Sequence, residues 1–205
     1  MEPTLWIASA LASLLMALVP GPGVASIVGF AVSSGRRTAL ASVAGMAVGN
    51  FTAMSLSLAG LGAILAASAT AFTVLKFAGA AYLIVLGVLT LARARRAAAV
   101  ELSLPIAPRA AFWTNVAVGT FHPKTIAFFV AFAPQFLAPE LPYFPQAAIM
   151  ILTFTGIAAI TDSLYAVVAS GQAQRLRSAR TQRIAAGTGG TVLVAAGIAT
   201  ALARR

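Results

Sequence analysis

The chain of 205 residues is 60% hydrophobic and 9% charged, with a mean hydropathy of +0.94, which excludes a soluble globular domain, where roughly a quarter of residues carry charge. Its formal charge is +10, but the Lys and Arg residues come in short bursts between long uncharged runs and form no single basic face, so no nucleic-acid partner is expected. The absence of Cys excludes disulfides and thiolate metal sites, and one His with four acids leaves little for a hydrolytic centre; no enzymatic activity, metal or cofactor is expected.

Measured against the roughly 20 apolar residues that a spanning helix needs, the uncharged runs predict six transmembrane helices, at 5–33, 38–66, 71–92, 110–136, 144–170 and 184–203. The first starts after Glu2, without the basic n-region of a cleavable signal peptide and with too long an apolar run for one. It is interrupted by Pro20-Gly21-Pro22-Gly23. The second holds Gly45-x-x-x-Gly49, a spacing that lets helices approach closely, followed by Asn50. The turn into the third lies in the small-residue stretch 66–71, which has no strong breaker. Lys76 stands near the outer end of the third helix, where a long side chain can snorkel. The fourth is interrupted by His122-Pro123-Lys124. The fifth carries Asp162, the one acid inside any of these runs, with Tyr165 one turn on. The sixth, Ile184 to Ala203, is free of charge.

Arg36, Arg37, Arg93, Arg95, Arg96, Arg109, Arg175, Arg177, Arg180 and Arg183 all fall in loops on one side, against Arg204 and Arg205 on the other. The positive-inside rule then puts both termini on the non-cytoplasmic side of the inner membrane. One transporter domain follows, with a first three-helix repeat (1–92), a basic cytoplasmic loop (93–109) and a second repeat (110–205). Repeats with an odd number of spans are inverted relative to each other. The lead helix of each carries a Pro interruption, Asn50 follows Gly45 much as Asp162 follows Gly156, and the Gly79 to Gly87 spacing recurs at Gly189 to Gly197. Paired Pro/Gly-broken helices in inverted halves point to a secondary-transport site near the membrane midplane.

At each break proline removes a backbone donor, so unwound backbone at membrane depth must line protein or a watered cavity. The half-helix after Pro22 presents free N–H groups and a positive dipole end to a carboxylate, and Gly21 and Gly23 let a ligand approach. An ionisable group inside the bilayer costs about 2.5–3.5 kcal/mol or more, so each one is read first as functional. Asp162 is expected either to carry a proton or meet a substrate ammonium, or to pair with Lys124 or Lys76. Lys124 either neutralises a substrate carboxylate or satisfies carbonyls freed by its own proline. His122 is a proton relay or a hydrogen-bonded packing residue. Tyr82, Trp113, Tyr143 and Tyr165 are interfacial anchors or cavity walls.

Pro20-Gly21-Pro22-Gly23, the stretch Leu75 to Leu83 with Leu86-Gly87, and Pro123-Lys124 followed by Phe128-Phe129 and Phe132 to Phe136 together resemble the LysE/RhtB family of amino-acid exporters over nearly the whole chain. The resemblance implies a six-helix inner-membrane exporter of amino acids or close derivatives, exchanging them for protons, with lipid around it and a homodimer as the assembly. It carries functional roles onto Pro20 to Gly23, Lys76, Pro123, Lys124 and Asp162. Two departures stand out: His122 where the family often has Asn, and Val24 after the break where a polar residue is usual. The competing readings are an exporter of another small solute or cation and a non-transport membrane subunit. A cation exporter is disfavoured because Asp162 alone supplies a hard intramembrane anion.

Overall fold

The computed structural model describes residues 1–67, 69–95 and 105–171 and scattered positions between 184 and 202. The described secondary structure is helical throughout: α1 (Pro3–Leu18), α2 (Pro22–Ser34), α3 (Arg36–Ala67), α4 (Ala69–Arg95), α5 (Pro108–Thr120), α6 (Pro123–Phe132), a 3-10 turn (Ala133–Phe136) and α7 (Tyr143–Gly171). The helix starts follow from proline at the first turn of α1, α2, α5 and α6, where the missing N–H costs nothing.

The predicted first span is the pair α1 and α2, bent by 50° at the Pro-Gly-Pro break. The second and third are α3 and α4, which meet at the expected small-residue stretch. The fourth is α5 and α6, broken at His122-Pro123, and the fifth is α7. Among the described residues, Arg36–Gly62 and Tyr143–Gly171 are long and apolar enough to cross a membrane, and the bent α1–α2 pair makes a third if it is one broken span. The predicted sixth span lies largely outside the described residues, as do Lys76's side chain, Arg96, Arg175, Arg177, Arg180 and Arg183.

The polarity of the bundle runs outward to apolar. Leu56, Leu152, Ile160 and Leu164 are exposed, while Asn50, Asn115, His122, Lys124, Gln146 and Asp162 are buried, the distribution expected where the surroundings are hydrocarbon and polar groups must find partners inside. One apolar cluster gathers Met54, Leu58, Phe128, Phe129 and Phe154 around the α3, α6 and α7 contacts. A second, with Ile27, Val43, Met46 and Ala166, joins α2, α3 and α7.

Glycine sets how close α3 and α5 come. A Cβ on Gly49 would stand 2.5 Å from the Val116 carbonyl oxygen and 2.8 Å from the Gly119 Cα, and one on Gly45 would run into the Phe112 carbonyl. The Gly45-x-x-x-Gly49 motif therefore seats α3 on α5. Gly156, its counterpart in the internal echo, is exposed, and a Cβ there would meet nothing within 4 Å, so that echo does not extend to packing. The tight α2–α3 corner is made by Gly35 at φ 84°, a backbone region that side chains disfavour.

Candidate transport site

An α-helical carbonyl bonds the N–H four residues on. For Met16 that partner is Pro20, and for Leu18 it is Pro22, so the break leaves both carbonyls without a backbone donor. Both are met from the second half of the chain. Lys124 Nζ donates to the carbonyl oxygens of Met16 at 3.1 Å and Val19 at 2.9 Å, and the Tyr165 hydroxyl donates to the Leu18 carbonyl at 2.9 Å. Lys124 is only 6% exposed. Its ammonium thus lies at the carbonyl end of α1, where the helix dipole favours a cation.

The second break closes on itself. Pro123 denies a donor to the Gly119 carbonyl, and the His122 N–H takes its place at 3.3 Å, while the Phe121 N–H bonds the Ala117 carbonyl at 3.0 Å. His122 is the N-cap of α6 but makes no side-chain cap bond. Its Nδ1 lies 3.3 Å from Thr125 Oγ1, and its Nε2 is buried without a partner, as is Oδ1 of Asn50.

These groups surround one cavity of about 30 Å³, lined by Gly21, Gly23, Asn50, His122, Lys124, Thr125 and Asp162, with Met16, Ala17, Val24, Met46, Phe154 and Ala158 as its apolar wall. A water needs roughly 10–15 Å³, so the space admits a water or two and no amino acid. The α2 and α6 N-termini abut it through Gly21 and His122, adding two positive helix ends to its field. Asp162, 7% exposed, shares the cavity with Lys124.

Six of the residues singled out in the sequence, Gly21, Gly23, Asn50, His122, Lys124 and Asp162, come together here from four helices and the unwound segment. Pro20, Pro22 and Pro123 shape the breaks around it. One expectation needs correction. Lys124 does satisfy freed carbonyls, but those of the first break and not of its own proline, because α6 carries it across to the end of α1. Tyr165 lies outside the lining of this cavity, with its hydroxyl donating to the Leu18 carbonyl. The other aromatics separate as well: the Tyr143 hydroxyl bonds the Leu58 carbonyl at 2.5 Å, whereas Trp113 is exposed.

Sequence reasoning passed over Met16, Met46 and Phe154 as wall residues. Met16 was legible as the residue one turn before Pro20. It also passed over Asn115, which is fully buried, accepts a hydrogen bond from Ser26 Oγ across α2 and α5, and leaves Nδ2 unpartnered; an Asn inside an apolar run was the available signal.

A family model for the LysE type translocator matches residues 14–204. The chain is 34% identical over 167 residues to a homoserine/homoserine lactone efflux protein of Salmonella typhimurium, covering 80% of each. It is 32% identical over 178 residues to a Vibrio cholerae protein known only as a membrane protein, covering 87% of each. A leucine efflux protein of Salmonella choleraesuis is 27% identical over 134 residues, 64% of this chain and 62% of its own. No solved structure matches the chain. With a family match across more than nine-tenths of its length and its motifs gathered at one buried polar site, the chain belongs to the LysE type translocators.

Proposed function

We propose that this protein is a secondary active exporter of amino acids or close derivatives across the inner membrane, driven by exchange with protons. The observation that carries the reading is the buried cavity between the two Pro-broken helices, which holds one ammonium, Lys124, and one carboxylate, Asp162, beside two unpartnered polar atoms. An amino acid presents the complementary pair of charges. Its carboxylate would be held by the Lys124 proton not spent on α1 and by the start of α2, with Gly21 and Gly23 leaving room. Its ammonium would be held by Asp162 and Asn50 Oδ1, and His122 would complete the polar wall. Asp162 is also the group that exchanges a proton during the cycle. Names given to relatives, homoserine and leucine efflux proteins, agree with an amino-acid cargo.

The architecture proposed is six spans in two inverted three-helix halves, with both termini outside. The packing supports it. The second helix of the first half, α3, lies on the broken α5–α6 of the second half, and the second helix of the second half, α7, lies on the broken α1–α2 of the first. Such an exchange is what a two-fold axis in the membrane plane produces. The cavity is too small for cargo, so this is a closed state, and loading requires the breaks to move apart. The cargo, protons, lipid and a second copy of the chain are the partners of this reading.

Counterflow of labelled amino acids in proteoliposomes tests it. Wild-type protein should exchange at least one amino acid and accumulate it when a pH gradient is imposed. Asp162→Asn should lose that pH-driven accumulation while retaining part of its exchange. Normal pH-driven accumulation by that variant removes Asp162 from coupling, and absence of counterflow for every amino acid sinks the exporter.

A further inference from the structure

The geometry points to a built-in cation seat at the end of α1, formed by the carbonyl oxygens of Met16 and Val19 in the cavity that Asp162 also lines, in which the Lys124 ammonium is a tethered occupant that takes the place of a soluble monovalent cation. The inference rests on the proposed transport role for this cavity.

Unwound carbonyls at the C-terminal end of a half-helix, at membrane depth, are the groups with which transporters coordinate small cations. The end of α1 offers more of them than an ordinary helix end, since Pro20 denies Met16 its donor and Val19 lies in the unwound turn. Two more oxygen-bearing side chains, Asp162 and Asn50, line the same cavity. Carbonyl oxygens in a cavity that also holds a carboxylate suit a hard cation. What meets the two carbonyls is Nζ of Lys124 at 3.1 and 2.9 Å, ordinary N–H···O spacing. An ion of similar size, such as ammonium, methylammonium or potassium, fits the same oxygens.

A tethered cation cannot be released to the other side of the membrane. Transport by this protein is therefore independent of sodium and potassium, and the proton is left as the coupling ion. Removing the Lys124 side chain beyond Cβ exposes the seat, and the variant acquires a soluble-cation requirement that the native protein lacks.

The test uses the full chain in detergent, comparing wild type and Lys124→Ala by thermal unfolding in ammonium, methylammonium, potassium, sodium or choline chloride at equal ionic strength. Wild type should melt at one temperature in all five salts. Lys124→Ala should melt lower in choline and regain about 2–4 °C, saturably, with ammonium, methylammonium or potassium, the shift that one bound ion of modest affinity produces in a chain of this size. Equal melting of Lys124→Ala in all five salts, or a wild type that responds as the variant does, overturns the proposal. If Lys124→Ala does not accumulate, the double variant Pro20→Ala/Lys124→Ala decides. Replacing the proline restores a backbone N–H that can donate to the Met16 carbonyl, so the double variant should accumulate where the single one does not, and its failure to do so overturns the proposal as well. Counterflow separates this from the function itself. Loss of all amino-acid exchange by wild type would sink the exporter without touching the melting result, whereas sodium-dependent exchange by wild type would sink the tethered cation alone.

Discussion

The two proline breaks differ in who repairs them. At the second, the backbone near His122 folds back and bonds the Gly119 carbonyl within its own turn. At the first, nothing local reaches Met16 or Leu18, and the donors come from Lys124 and Tyr165, more than a hundred residues away in sequence. A self-capped break holds its shape whatever its neighbours do. A break held by side chains from two other helices keeps its shape only while those helices stay in place, so in the proposed cycle the first break is the one that moves and the second is the rigid reference. The same contacts tie α1 to α6 and α7, the helices that bring Lys124 and Asp162 to the cavity.

Removing Lys124 should break this asymmetry most severely. In Lys124→Ala two buried carbonyls lose their donor, and each unsatisfied group costs about 1–3 kcal/mol, so a loss of about 2–6 kcal/mol is expected in denaturant unfolding in the absence of added amines. Amino-acid exchange should fall with it. A loss under about 1 kcal/mol would mean that water solvates the end of α1 and that the first break is no more dependent on its neighbours than the second.

Two matched variants sharpen the contrast at lower cost. Tyr165→Phe keeps the ring and removes only the donor to Leu18, so about 0.5–1.5 kcal/mol should be lost, with weaker apparent affinity for cargo because the start of α2 shifts with the break. Pro123→Ala returns an N–H to a carbonyl that already has a partner, and the change should stay within about 1 kcal/mol, the usual effect of a proline acting through the unfolded chain. Equal losses in the two variants would erase the distinction between a propped and a self-capped break.

Much of this arrangement was legible in sequence. Lengths of apolar runs located five helical regions to within a few residues, because hydrocarbon thickness and helix rise leave little freedom, and the prolines marked both breaks. That Gly21, Asn50, His122, Lys124 and Asp162 share one cavity followed from the cost of burying polar groups in lipid. What could not be read was which partners meet across the bundle. Nothing local distinguishes Tyr165, whose hydroxyl holds Leu18, from Trp113, which faces outward, or Gly49, pressed on α5, from Gly156, where a Cβ would meet nothing. Those differences depend on the rotation of each helix about its axis, and α3 and α7 are apolar nearly all round, so no polar stripe betrays that rotation.

The smallest expected effect has the opposite sign and concerns the one break residue that departs from the pattern of the resemblance. His122 occupies the N-cap of α6 without a cap bond and leaves Nε2 unpartnered in the cavity. Asn is among the best N-cap residues, and a good cap is worth roughly 0.5–2 kcal/mol over a side chain that makes none. His122→Asn should therefore stabilise the protein by about 0.5–1 kcal/mol, the lower part of that range, because it also forfeits the contact between Nδ1 and Thr125. If His122 is held at this stability cost for cargo recognition, the same variant should shift the ranking of amino acids in counterflow while exchange as such persists. A stabilised variant with an unchanged ranking would show that the imidazole fills space beside Gly21 and Gly23 and reads nothing of the cargo. A destabilised variant would show that the Thr125 contact outweighs the cap, and that the second break also depends on a side chain to keep its shape.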